Sequence, residues 1–188
     1  MIYAIAFLLG ALGWTLTEYW LHRGWGHRGE AKNPFSTEHL AHHADVSYFA
    51  PTYKKVIATA LVGGTTGTVL FLLLGITGLF ASLGFVVMYV TYEVIHRLLH
   101  THAGRTRYGR WARRHHLYHH YRRPQLNHGV TTPIWDFVFG TLEVPDTVKV
   151  PRRMALAWML DDDGELHPEL TDEYLLIGKK KNDLQESP

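Results

Sequence analysis

The 188-residue chain contains no cysteine, and this absence narrows its chemistry. It excludes a disulfide framework, a thiolate zinc site, a cysteine-ligated iron–sulfur cluster and a cysteine nucleophile. Acidic residues are also few, 17 against 19 lysines and arginines. The net charge of +2 gives no general case for nucleic-acid binding, so we expect no nucleic-acid partner.

Charged residues are missing altogether from two long segments, 1–17 and 56–92. As a single helix, the second segment would be about 55 Å long, well beyond the roughly 30 Å hydrocarbon core of a bilayer. The sequence Gly75-Ile-Thr-Gly78 near its middle predicts a turn instead. We therefore expect three membrane-spanning helices, at about 2–22, 53–74 and 79–100.

Basic residues flank these spans on one side, among them Arg23, Lys54 and Arg105. Under the positive-inside rule these flanks face the cytoplasm. The sequence thus predicts an all-α integral membrane protein with a cytoplasmic helical cap, in a bacterial cytoplasmic membrane. We expect the membrane domain to span residues 1–143 and a polar cytoplasmic tail to span 144–188.

Histidine is the residue present in excess, and 13 of the 14 histidines lie on the predicted cytoplasmic side. Two cap helices, expected at about 36–45 and 108–121, each carry histidines at i, i+3 and i+4, within about 100° around a helix. The end of the third span carries two histidines four residues apart, and the end of the first span carries two histidines five residues apart. Gly24 and Gly26 predict that the first helix ends there, which would let His27 turn back towards His22. The clusters contain ten histidines: His22, His27, His39, His42, His43, His96, His100, His116, His119 and His120.

Ten imidazoles would supply five ligands to each of two metal ions. One position of each six-coordinate ion would stay open for oxygen or water, and neutral imidazole suits Fe, Zn, Cu or Ni. Carboxylates that orient the rings are expected nearby. The candidates are Glu18, Glu93, Asp45 and Asp136. His115 stands four residues before His119, so spacing leaves open whether it replaces His116.

Residues 10 to 143 carry a series of motifs whose order resembles that of the fatty acid hydroxylase/sterol desaturase superfamily, and most of all that of its fatty acid 2-hydroxylase-like members. The resemblance rests on Trp14-Thr-Leu-Thr-Glu18-Tyr-Trp-Leu-His22, HLAHH, YEVIHRLLH, HHLYHH, Asn127-His-Gly129 and Trp135-Asp136-Phe-Val-Phe139-Gly140-Thr141. It implies a membrane oxygenase with two iron ions, the ten histidines as ligands and dioxygen as co-substrate. Zinc would be an alternative occupant after purification.

The resemblance further implies hydroxylation of a fatty acyl or related lipid chain. Desaturation of a sterol or other lipid and carotenoid hydroxylase-type oxygenation are the alternatives. A membrane metal-binding or transport protein is a more distant one, because transport would need ionisable ligands near the bilayer midplane and the spans offer none there.

The reducing electrons would come from another protein, a ferredoxin or cytochrome with its reductase, because the chain has no nicotinamide or flavin fingerprint. Seven arginines and no acidic residue lie between Ala103 and Pro124. This basic patch could dock an acidic electron donor or contact anionic lipid headgroups. The sequence leaves both open.

Overall fold

The computed structural model describes residues 1–28 and 30–179, and it is mainly helical. The long helices are α1 (Ile2–Trp20), α3 (Thr52–Leu74), α4 (Ile76–Thr101) and α5 (Arg107–Tyr121), with shorter helices α2 (Pro34–Ala44) and α6 (Ile134–Val138). A π-helical segment, Leu21–His27, continues α1. Residues 180–188, the last part of the predicted tail, lie outside the described residues.

Three helical stretches are long and apolar enough to cross a membrane: Ile2–His27, Thr52–Leu74 and Ile76–Thr101. Helix α3 has no buried residue, and its exposed side chains are largely aliphatic. Such a surface suits contact with lipid tails. The expected all-α membrane architecture is confirmed.

Close backbone packing holds α1 against α4. A β-carbon on Gly10 would come within 1.8 Å of the Ala81 carbonyl oxygen, and one on Gly84 within 1.9 Å of the Phe7 carbonyl oxygen. Small residues at such crossings let membrane helices approach closely. Helix α4 begins earlier than the predicted residue 79, because Gly75 alone, with φ of +60°, makes the turn from α3.

Helices α2 and α5, which form the cap, each begin at a residue whose side chain accepts a backbone hydrogen bond. The Asn33 side chain accepts a hydrogen bond from the Ser36 N–H at 2.8 Å at the start of α2, and Pro34 follows as the first helical residue. At the start of α5, Thr106 Oγ1 accepts from the Gly109 N–H at 3.0 Å. Such caps satisfy backbone donors that a helix leaves free.

The predicted tail contains a two-stranded sheet that the sequence analysis did not anticipate. Strands β1 (Val148–Pro151) and β2 (Tyr174–Ile177) pair in parallel. Their buried side chains, with Met159, form a small core against Leu117 of α5. The two strands have only four residues each, too few for an alternating pattern to mark them in the sequence, yet this unit supports the helix that carries three of the clustered histidines.

Candidate metal centre

The ten clustered histidines converge at one end of the helix bundle in two groups of five. In each group the ligand atoms all lie within 4.8 Å of one another. The first histidine group contains His22, His27, His39, His43 and His119, and the second histidine group contains His42, His96, His100, His116 and His120. The groups adjoin where the rings of His43 and His120 stack with centroids 4.1 Å apart.

Each i, i+3, i+4 cluster is divided between the groups in the same way. In α2, the outer pair His39 and His43 belongs to the first group, and the middle residue His42 to the second. In α5, the outer pair belongs to the second group, and the middle residue His119 to the first. Each group therefore combines two histidine pairs with one single histidine from the other cap helix.

The π-helical segment accounts for the i, i+5 pair. The prediction that the helix ends at Gly24 and Gly26 is wrong, because the backbone stays helical as far as His27. A π-helix closes its turn between residues i and i+5, so it brings His22 and His27 to one face, whereas an α-helix would place them about 140° apart. Their ring centroids lie 5.3 Å apart.

The spacing of the ring nitrogens fits a bound metal ion. Neighbouring Nε2 atoms lie 2.9 to 3.2 Å apart in both groups. Two metal–imidazole bonds of about 2.1 Å at a right angle would place their nitrogens about 3.0 Å apart. Each neutral ring has only one N–H to donate, so hydrogen bonds among the rings cannot pair all of these nitrogens. A cation between them would accept their lone pairs.

Backbone carbonyls fix the orientation of three rings. The Nδ1–H groups of His22, His42 and His119 donate to the carbonyl oxygens of His128, Tyr48 and Leu126 at 2.5, 2.6 and 2.6 Å. This tautomer leaves Nε2 free to bind a metal. The His22 Nε2 atom is buried and has no hydrogen-bond partner among the described residues. Metal coordination would satisfy it.

Burial keeps the cap histidines neutral. It lowers the pKa of His42 to about 4 and that of His43 to about 3. Desolvation also holds the pKa values of His116, His119 and His120 well below the ordinary value. Neutral imidazole is the form that binds a metal, so the rings are ready for coordination at neutral pH.

Two of the predicted carboxylates act through a loop, residues 126–131, and contact no ligand ring directly. Glu18 accepts the N–H groups of Val130 and Thr131 at 2.5 and 3.1 Å, and the Thr131 hydroxyl at 2.8 Å. Because this loop carries the carbonyls that orient His22 and His119, Glu18 helps to position the first group.

Asp136 secures the same loop. It accepts the His128 and Gly129 N–H groups at 2.8 Å each, the Thr141 hydroxyl at 2.8 Å, and His115 Nε2–H at 3.3 Å. Burial opposes its ionisation, but these hydrogen bonds hold the pKa of Asp136 below its usual range. His115 thus lies against Asp136, and His116 is the residue brought into the second group.

The other two predicted carboxylates, Asp45 and Glu93, bond to Ser47 and Lys55 and not to the rings. Asp45 is exposed and accepts hydrogen bonds from the backbone N–H and hydroxyl of Ser47. Glu93 forms an ion pair with Lys55 that joins α4 to α3. Neither makes a hydrogen bond to a clustered histidine in the part of the chain that the structure describes.

Sequence reasoning treats Phe49 as an interfacial anchor and does not single out Tyr92, yet both rings pack against the second histidine group. The Phe49 ring centroid lies 5.3 Å from that of His42 and 5.8 Å from that of His100. Tyr92 stacks on His96 at 5.7 Å. An aromatic residue near an apolar span is common, so only the folded structure distinguishes these two from interfacial anchors.

The fold and site define an integral membrane protein with two histidine groups, each of which could hold a metal ion. The sequence model of the fatty acid hydroxylase family matches residues 7–141. The chain belongs to this family.

Among its relatives is the ceramide very long chain fatty acid hydroxylase of Saccharomyces cerevisiae, 34% identical over 148 residues, which cover 74% of this chain and 38% of the yeast protein. The dihydroceramide fatty acyl 2-hydroxylase FAH1 of Arabidopsis thaliana is 32% identical over 163 residues, 78% of this chain and 62% of the plant protein. A solved structure of full-length scs7p, in which only the hydroxylase domain is visible, superposes with a TM-score of 0.60 at 32% identity. That match covers 77% of this chain and 57% of the solved one, so the chain spans only part of the length of these relatives.

Proposed function

We propose that this protein hydroxylates the fatty acyl chain of a membrane lipid, with two iron ions held by the ten clustered histidines. The observation that carries the proposal is the convergence of two five-histidine groups at one end of a membrane-spanning bundle. The relatives, named for ceramide fatty acids and for 2-hydroxylation, make the carbon next to the acyl carbonyl the proposed site of attack.

Iron at such a centre supplies the redox chemistry that activates dioxygen for oxidation of a C–H bond. The protein's part is to hold the ions and leave room for reactants. Five imidazoles in each group leave one position of a six-coordinate ion for oxygen or water. The carbonyls of His128, Leu126 and Tyr48 keep three rings in the tautomer that coordinates.

A lipid would reach the centre from the bilayer. His22 lies in the helical continuation of α1, and His96 and His100 lie in the last turns of α4, so the rings sit at the end of the apolar spans. The basic flanks of these spans support a cytoplasmic position for the centre. We place the protein in a bacterial cytoplasmic membrane.

Electrons would come from a ferredoxin or cytochrome with its reductase. The basic patch on and around α5 is one docking surface for such a donor. Its exposed members are Arg105, Arg107, Arg110, Arg122 and Arg123. Arg113 is not one of them, since it is buried and donates to the Leu98 carbonyl at 3.0 Å, joining α5 to α4.

Lipid mass spectrometry under labelled dioxygen tests the proposal. Cells expressing the intact chain should accumulate 2-hydroxy acyl lipids that carry the label, and cells expressing His119→Ala should not. An alkene product would show desaturation instead. Equal lipid profiles in the two strains would contradict an oxygenase role.

A further inference from the structure

The short helix α6 and the residue after it present an apolar surface. Phe137 is 75% exposed, and Ile134, Val138 and Phe139 are exposed as well. Residues 134, 137 and 138 share one face of the helix, because side chains three and four residues apart are neighbours on its surface. These four side chains form the α6 surface. A contiguous exposed apolar patch of this kind marks contact with a protein or with a membrane.

No charge accompanies the α6 surface. Residues 124–142 contain one charged residue, Asp136, and its side chain is fully buried against the 126–131 loop. Interfaces between proteins carry a polar rim and hydrogen bonds, whereas the four side chains of the α6 surface contain no polar atom. The surface therefore suits hydrocarbon better than a second protein.

Helix α6 is fixed beside the membrane-spanning part of α1. The Trp135 indole N–H donates to Thr15 Oγ1 at 2.9 Å. The ring centroid of Phe139 lies 5.1 Å from that of Tyr19 and 5.1 Å from that of Trp20. Trp20 is itself exposed, so the α6 surface continues the exposed surface of α1.

The position of this contact along α1 indicates its depth in the membrane. The helical stretch Ile2–His27 has 26 residues. It is about 39 Å long, roughly 9 Å more than the hydrocarbon core of a bilayer. The stretch begins without charge, and its first basic residue is Arg23, so the excess length belongs on the histidine side. The hydrocarbon boundary then falls near residue 21, which places Thr15 about 9 Å inside it.

The 126–131 loop, which leads to α6, meets the requirement for backbone at this depth. Non-helical backbone within a membrane must have its polar groups paired inside the protein. Glu18 and Asp136 together accept four consecutive backbone N–H groups, those of residues 128–131. Two buried carboxylates thus take the place that water has in an exposed loop.

We propose that the α6 surface is embedded in the hydrocarbon of the leaflet on the histidine side, as a membrane contact in addition to the three spans. Helices that lie in a membrane interface bury their apolar face about 5 to 10 Å below the boundary with the headgroups, which agrees with the depth of Thr15. Because α6 follows the 126–131 loop closely in the chain, this contact anchors to the membrane the loop that orients His22 and His119.

The absence of cysteine allows a direct test with single-cysteine variants that carry a nitroxide spin label. Phe137→Cys is compared with Leu61→Cys, exposed near the middle of α3, and with Asp162→Cys, exposed in the tail. Each full-length variant is reconstituted in phosphatidylcholine vesicles. Collision rates with oxygen, which concentrates in hydrocarbon, and with a water-soluble nickel chelate report the depth of each label. We expect the label at position 137 about 5 to 10 Å inside the boundary, the label at 61 deeper and the label at 162 in water.

Ile134→Cys and Val138→Cys repeat the measurement on the same face of α6, so the test does not depend on the folding of one variant. A label at position 137 that the nickel chelate reaches as readily as the label at 162 overturns the proposal. Low access to both reagents also overturns it, because a protein then covers the surface. Dipolar broadening between labels would identify that protein as a second copy of the chain. None of these readouts requires turnover, so failure of the proposed hydroxylation leaves them unchanged.

Discussion

The two histidine groups bind the same kind of ligand atom but are supported differently. The first group depends on a π-helical segment and on the 126–131 loop, whose carbonyls orient His22 and His119. In the second group, two pairs at i, i+4 come from regular turns of α4 and α5, and one ring, His42, is oriented by the Tyr48 carbonyl.

This difference locates the vulnerable side of the centre. Regular helix fixes the spacing of a pair locally, whereas a loop carbonyl is held in place only by other contacts. Glu18 and Asp136 supply those contacts for the first group from α1 and α6. We therefore expect the first group to respond to changes far from its rings, and the second group to respond mainly to changes at its own rings.

The largest effect should follow removal of one ring from either group. His119→Ala in the first group and His120→Ala in the second should each reduce product formation at least about 100-fold, since loss of a ligand exceeds the usual cost of losing its supports. His102→Ala is the control, because His102 is exposed and its side chain hydrogen-bonds only to Thr101 among the described residues. Full activity in one ring variant would show that its group takes no part in the reaction.

The second-largest effect should follow Asp136→Asn, which should weaken metal binding at the first group. An amide cannot accept all of the hydrogen bonds that the carboxylate accepts, so the loop loosens and metal binding at the first group should weaken about 10-fold. Chelator titration of metal-loaded protein measures this change. Asp45→Asn is the matched control and should stay within about twofold. Equal effects of the two substitutions would remove the distinction between the carboxylates.

Gly26→Ala probes the π-helical segment. Its new β-carbon would lie 2.8 Å from Cδ2 of His39, so that ring must shift and metal binding at the first group should weaken several-fold. Gly24→Ala adds the same methyl group where nothing lies within 4 Å, and it should bind metal as the wild type does. The same chelator titration compares the pair. A larger loss in Gly24→Ala would contradict the packing.

Glu93→Gln should have the smallest effect. Glu93 pairs with Lys55 and bonds to none of the clustered rings, so its substitution should change metal binding by less than about threefold. Metal content after purification measures this. A loss as large as that of Asp136→Asn would mean that Glu93 supports the second group after all.

The sequence was sufficient for much of this arrangement. Charge-free segments predicted the spans, and histidine spacing predicted that ten rings serve two ions. It did not predict the division of His42 from His43, because adjacent residues on a helix point about 100° apart and only the positions of α1, α4 and α5 decide which group each one meets.

The supporting contacts were harder to predict. Glu18 and Asp136 were expected beside ligand rings. Glu18 instead accepts from a backbone N–H group 112 residues away, and Asp136 from one 8 residues away. Carbonyl oxygens such as that of Leu126 leave no signal in a sequence, since every residue has one. The π-helix was missed because its glycines favour a helix end as much as a widened turn.

The most direct test of the two-group centre is the metal content of four proteins: the wild type, His42→Ala, His43→Ala and the double variant. Because His42 and His43 belong to different groups, the structure predicts two tightly bound ions per chain in the wild type, one in each single variant and none in the double variant. A double variant that retains one tightly bound ion would place both residues in one group and contradict the account.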